Sequence, residues 1–236
     1  MTKDTLQAIR AALAAVSSDD RRRVFQDLRK EFPIHDLERK WNAPSEVVLE
    51  AIARATDLTQ RGLRGVIAEA AFAQTVVVPL LPAGWTDDTP AGDIPFDFRL
   101  NDKLGTVKIQ VKNQRNEKRV PKLWKKQPGV YVVAETQKTR SGKDKAGNET
   151  RPYRFGEFDI LAVCLHPSTN DWSKFLYTVG DWLLPRENDK KLISVFQPVD
   201  PKASADWTTD FVTAVSWYRS GRKRTIAIPA ALKSGV

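Results

Sequence analysis

Histidine and cysteine are nearly missing from this 236-residue chain: it has His35, His166 and Cys164 and no others. A lone cysteine can form no internal disulfide and cannot build a cysteine zinc site. Two imidazoles are too few for a histidine-rich zinc hydrolase, an HNH-type nuclease or a ribonuclease working with a histidine pair. His35 stands near a helix start and His166 follows an apolar strand, so structural roles are expected for both. The twelve glycines make neither a GxxxxGK[ST] loop nor a GxGxxG turn, so ATP dependence is not expected. No apolar run approaches the roughly 18 residues of a membrane span, and the N-terminus lacks the apolar stretch of a signal peptide. The expectation is a protein without a membrane partner, in a prokaryotic cytoplasm.

Positive charge is abundant, and it is local. The formal net charge is +9. Residues 113–126 carry Arg115, Lys118, Arg119, Lys122, Lys125 and Lys126 against Glu117, a local balance of +5. Residues 136–154 carry Lys138, Arg140, Lys143, Lys145, Arg151 and Arg154 against Asp144 and Glu149, a balance of +4. The remaining chain nets zero. Charge concentrated in two segments suits a polyanion-binding cleft better than a uniformly solvated surface. With 41% hydrophobic residues, the length allows one sizeable domain and a helical attachment.

Residues 1–57 read as that helical region. Leu6, Ile9, Leu13 and Val16 keep helical spacing, and Ser17-Ser18-Asp19-Asp20 supplies a stop and a cap. A second helix spans about 20–31 and ends at Pro33. Pro44-Ser45 opens another, with Val48, Leu49 and Ile52. Residues 58–236 read as an α/β core with a mixed central sheet flanked by helices. Asp57 and Gln60 resemble a capping box opening a helix over 58–75, with Leu63, Val66, Ile67 and Ala70 as its apolar stripe. Glu69 lies off that stripe, beside Gly62, Gly65 and Ala73, small neighbours that let a metal or phosphate approach. The spacing predicts strands over 75–81, 94–100, 106–112, 129–135, 158–165, 175–179 and 192–196, and a helix over 204–220. Residues 138–154 read as a basic β-hairpin arm suited to a nucleic-acid groove. Trp124, flanked by lysines, is the tryptophan best placed to stack on a base.

The chemistry is concentrated in Pro95-Phe96-Asp97-Phe98 and, thirteen residues after Asp97, Gln110-Val111-Lys112. Val107, Ile109 and Val111 alternate with Lys108, Gln110 and Lys112, the period of a half-buried strand. Gln110 and Lys112 therefore share a face, and a tight hairpin through 101–105 brings Asp97 beside them. A carboxylate and an amide oxygen can hold a hard divalent cation, while an ammonium steadies an attacking water or developing charge.

These residues resemble the PD-(D/E)xK nucleases, a family that includes many restriction endonucleases. Two departures stand out: Phe96 separates Pro95 from Asp97, and Gln110 takes the place of the usual Asp or Glu. The second removes a negative charge, so a further carboxylate is expected, and Glu69 matches the glutamate that the family often carries on the helix before its sheet. The resemblance implies a restriction-endonuclease-like core, Mg²⁺, and double-stranded DNA cleaved by a homodimer at a specific site. In that reading Asp97, Gln110, the Val111 carbonyl and Glu69 hold the metal, and Lys112 positions or deprotonates the water. Arg115, Lys118, Arg119, Lys122, Lys138, Arg140, Lys143 and Lys145 would contact DNA. A type II restriction enzyme is one form of this; a homing, junction-resolving or repair nuclease is another. A non-catalytic nucleic-acid-binding protein, with Asp97 and Lys112 as a surface ion pair, stays open on the sequence.

Overall fold

Local signals in the first sixty residues become four helices. The computed structural model describes residues 3–32, 35–117, 120–124, 131–138, 142–143, 147 and 150–228. Helix α1 (Lys3–Ala15) ends before Ser17, whose hydroxyl caps α2 (Ser18–Glu31) by accepting from the Asp20 amide at 3.1 Å. The His35 ring does the same for α3 (Asp36–Trp41), accepting from the Leu37 amide at 3.1 Å. Pro44 precedes α4 (Ser45–Arg54). Residues Met1–Gln60 form one compact unit and Arg61–Val236 another.

Helix α5 (Asp57–Phe72) opens differently from the expected Asp57–Gln60 box. Thr56 is the cap: its carbonyl accepts from the Gln60 amide at 2.9 Å, and the Gln60 side chain turns back to the Ala55 carbonyl at 3.0 Å. The expected apolar stripe is also misplaced. Val66 is 57% exposed, whereas Ala68 and Phe72 are fully buried. Phe72 sets the helix rotation, because its ring meets those of Phe98, Phe175, Tyr177 and Phe211 at 5.1 to 6.4 Å.

Residues 75–81 are not a strand. The helix continues through a π turn (Ala73–Val77), α6 (Val78–Leu80) and a 3₁₀ turn (Leu81–Ala83), ending at Gly84 with φ 90°. Val76, Val77 and Val78 favour a strand through β-branching, but that preference yields to tertiary packing. The π turn has a cause in the sequence. Pro79 lacks an N–H and crowds the carbonyl four residues back, and the widened turn, with the Val78 amide bonded to the Ala73 carbonyl, loosens the ladder ahead of it. By length and composition the stretch Asp57–Ala83 would suffice to cross a membrane, a longer apolar stretch than the sequence reading found. Its Phe72 face, however, is packed on the sheet.

The remaining elements are β1 (Thr86–Asp87), β2 (Phe98–Asp102), β3 (Gly105–Asn113), β4 (Asn116–Glu117), β5 (Val120–Pro121), β6 (Val132–Glu135), β7 (Ile160–Cys164), α7 (His166–Thr169), β8 (Phe175–Val179), a 3₁₀ turn (Gly180–Trp182), β9 (Phe196–Val199) and α8 (Phe211–Arg219). The central sheet runs β1-β2-β3-β7-β8. Only β3 and β7 are parallel within it; the other neighbours are antiparallel. The fold is thus α/β around a mixed five-stranded sheet, with α5 and α8 meeting over it through Phe72 and Phe211. The short pairs β4–β5 and β6–β9 form two smaller sheets.

Three further boundaries differ from expectation. Strand β2 starts at Phe98 rather than 94, after Pro95, which cannot donate to a ladder. The strand expected over 192–196 begins at Phe196, and Leu192 and Ile193 make single bridges only. The helix expected from 204 begins at Phe211, because the Asp210 carboxylate accepts from the Thr213 amide at 2.8 Å and caps it there, while Thr208 bridges to Tyr177. Where described, the arm is hairpin-like: the Lys138 amide donates to the Arg151 carbonyl at 2.9 Å, and the Thr150 amide to the Gly142 carbonyl at 3.0 Å. Residues 129–130 of the expected strand 129–135 lie outside the described residues.

Candidate active site

The β2–β3 hairpin pairs Phe98 with Ile109, which sets Asp97 opposite Gln110. The Asp97 amide donates to the Ile109 carbonyl at 2.9 Å, so the ladder holds this residue although it precedes the strand. On the other side β3 pairs with β7, Gln110 against Leu161 and Lys112 against Val163. Being central in the sheet buries Gln110 to 2% exposure, where a side-chain amide needs partners on every side.

A cavity of about 430 Å³ opens here, lined by Glu69, Asp97, Gln110 and Lys112, and by Lys138, Tyr153 and Glu157 from the arm and its base. All four side chains expected to do chemistry therefore share one space. The Asp97 carboxylate accepts from the Val111 amide at 2.7 Å and from the Gln110 side-chain amide. The Gln110 nitrogen also donates to the Val111 carbonyl at 3.1 Å, and the Gln110 oxygen accepts from the Tyr153 hydroxyl at 3.0 Å. The Lys112 ammonium stands 5.2 Å from the centre of the Tyr153 ring and makes no salt bridge or hydrogen bond among the described residues. Asp97 and Lys112 are thus neighbours across a cavity, not a paired surface couple.

Burial governs the charges. It pushes the Glu69 carboxyl up to about 7, the Asp97 charge adds to that, and the Lys112 charge opposes it. It raises Asp97 above the usual carboxylate range, against the pull of Lys112, the Val111 amide and Gln110. It lowers Lys112 below the usual ammonium range, with Asp97, Glu69 and Glu135 opposing. Burial, with Asp97 next in weight, also keeps Tyr153 a neutral hydroxyl. A group enclosed without a counter-charge shifts toward its neutral form, and a bound divalent cation reverses that shift for the acids.

No three His, Cys, Asp or Glu side chains gather as a metal site among the described residues. Four carboxylates line the cavity, Glu69, Asp93, Asp97 and Glu157, with Glu157 taken up by Lys138 and the Arg154 amide; the Gln110 amide and the neighbouring Val111 carbonyl can also present oxygen. That set is wrong for zinc and suits Mg²⁺, which takes one or two carboxylates and keeps several waters.

The residues expected to contact DNA are placed unevenly. Lys138 lines the cavity, pairs with Glu157 at 3.0 Å and lies 5.3 Å from the Tyr153 ring centre. Arg115 is committed to Glu135 at 2.7 Å, and Lys122 pairs with Glu117 at 3.6 Å. Lys143 is exposed. Lys118, Arg119, Arg140 and Lys145 lie outside the described residues. Tyr153 and Glu157 were not singled out from the sequence; an aromatic inside a basic segment was the only local signal for the first.

His166 stacks on Trp172 with ring centres 3.8 Å apart. Burial pushes the Cys164 thiol up to about 11, which makes it a poor nucleophile.

No family model matches this sequence, and no curated protein matches it. Among solved structures, the chain is similar to a bacterial homing endonuclease, I-Ssp6803I, at 20% identity over 68% of this chain and 94% of that one, with a TM-score of 0.36.

Proposed function

We propose that this protein is a Mg²⁺-dependent endonuclease acting on double-stranded DNA, and more finely a type II restriction enzyme. One observation carries the reading: Glu69, Asp97, Gln110 and Lys112, brought in from one helix and one hairpin, line a single cavity. It is supported by the resemblance of Pro95 to Asp97 and Gln110 to Lys112 to the PD-(D/E)xK motif, and by a net charge of +9 carried by two segments.

Asp97, Glu69 and the Val111 carbonyl are the oxygens that would hold Mg²⁺. Bound there, it would neutralise charge developing on the scissile phosphate. Asp97 is fixed for this by the Val111 amide. Lys112 lines the cavity; as an ammonium it would orient the attacking water, and as the neutral amine, which burial favours, it would take the water's proton. Lys138, which lines the same cavity, would contact a phosphate. A symmetric homodimer would match a palindromic site.

The test is to incubate the purified protein with phage DNA, with and without Mg²⁺, and to sequence the fragment ends. Ends at one recurring sequence, formed only with Mg²⁺, are expected. Intact DNA under both conditions, with a duplex still bound, would replace this reading with a non-catalytic binding protein.

A further inference from the structure

The Gln110 side-chain amide makes three hydrogen bonds, and together they use its full donor capacity. Its nitrogen donates one proton to the Asp97 carboxylate and the other to the Val111 carbonyl. Its oxygen accepts from the Tyr153 hydroxyl. Asp97 and the Val111 carbonyl are two of the oxygens proposed to hold the cation. The amide NH₂ therefore ties together two of the atoms proposed to hold a divalent ion. The orientation is dictated by chemistry: an ionised carboxylate and a carbonyl can only accept, so the nitrogen must face them.

We infer that Gln110 is a displaceable cap on the cation site, locked over Asp97 and the Val111 carbonyl by the hydroxyl of Tyr153. The inference rests on the cation site proposed above. For Gln110 to offer its oxygen to a cation, the amide must turn over. Its nitrogen then faces Tyr153, whose hydroxyl can accept as well as donate. The two orientations are not equally served by Tyr153. In the capped state the hydroxyl donates to Gln110 at 3.0 Å. In the turned state it accepts, and its own proton exchanges the Gln110 oxygen for cavity water, no second protein acceptor being hydrogen-bonded to it among the described residues. Tyr153 thus favours the capped state by one net hydrogen bond. It is a positioning residue, acting through Gln110. The arrangement also gives a glutamine a use at a position where an acid would bind metal more strongly: with no cation present the amide donates to Asp97 and the Val111 carbonyl, which an ionised carboxylate cannot do.

The test titrates Mn²⁺ calorimetrically into the full chain without DNA. Tyr153→Phe removes the lock and keeps the ring, so Mn²⁺ should bind about 3- to 10-fold tighter than to the wild type, the weight of one net hydrogen bond. In a Gln110→Leu background the same substitution should give no tightening, because that side chain has no amide with which to cap Asp97. A merely structural Tyr153 would change the melting temperature and not the affinity. Weaker or unchanged Mn²⁺ binding by a folded Tyr153→Phe protein overturns the inference. Should that variant not fold, the Gln110 side-chain NH₂ resonances of the wild type decide: they are expected to shift on saturation with Mg²⁺, and unmoved resonances overturn the inference. A wild-type protein that binds neither ion removes the cation site itself, an outcome distinct from binding without the Tyr153 effect.

Discussion

The two compact units are held together by different means. In Met1–Gln60 the starts of α2, α3 and α4 are set by neighbours in sequence, Ser17, His35 and Pro44, and α1, α3 and α4 bury no side chain. Phe32 and Trp41 are 65% and 55% exposed. In Arg61–Val236 the ring of Phe72 alone touches β2, β8 and α8. The difference shows where chemistry can be lodged. A buried amide such as Gln110 needs partners from distant parts of the chain, and only the second unit brings such parts together. Among its described residues the first unit encloses no polar side chain.

The comparison is tested most severely at the cavity. Asp97→Ala and Lys112→Ala should each reduce Mg²⁺-dependent cleavage by about 10³-fold or more, while duplex affinity in a gel-shift titration changes little. Retained cutting by either variant removes these residues from the mechanism. Next in size is stability. Phe72→Ala should cost about 3–5 kcal/mol in urea unfolding, whereas Phe32→Ala should cost less than about 0.5 kcal/mol. Equal costs would contradict the exposure of Phe32.

The contrast carries over to pH. The carboxyl of Glu69 sits at about 7 folded against about 4.5 ordinarily, so the folded state holds its proton the more tightly. Its contribution to stability is therefore full below about 4.5 and is lost as pH rises through about 7. Glu69→Gln escapes that loss. Without divalent ions, the variant should match wild type near pH 4 and exceed it at pH 8 by about 1–2 kcal/mol, after discounting for solvent screening. Thermal melts across that range check the sign. Smallest is Ser17→Ala, expected to cost about 1 kcal/mol and to speed hydrogen exchange at the start of α2 without altering exchange in β3.

What the sequence disclosed follows the same division. The starts of α2 and α4 and the β2–β3 hairpin were legible, because Ser17, Pro44 and the alternation from Val107 to Lys112 act within a few residues. The segment 75–81 was misread because three valines argue locally for a strand while the docking of Phe72 carries the helix through them. The α5 stripe was misread for a related reason: Leu63, Val66 and Ile67 outnumber the inward residues, but Phe72 has the largest side chain and packs on four other rings. Residues 204–210 were read as helix because Trp207 keeps the spacing of Phe211, and the cap formed by Asp210 outweighs that periodicity. Asp97, Gln110, Lys112 and Glu69 were recoverable as a set from a hairpin pattern and a motif. Tyr153 was not, because it meets Gln110 across 43 residues of sequence, and no local pattern encodes that meeting.

The most direct measurement is anomalous diffraction from crystals soaked in Mn²⁺. The account predicts a single strong peak within coordination distance of the Asp97 carboxylate and the Val111 carbonyl, with the Gln110 amide turned from its capping position. Crystals that show no peak in this cavity at saturating Mn²⁺, with the Gln110 nitrogen still bonded to Asp97, would contradict it.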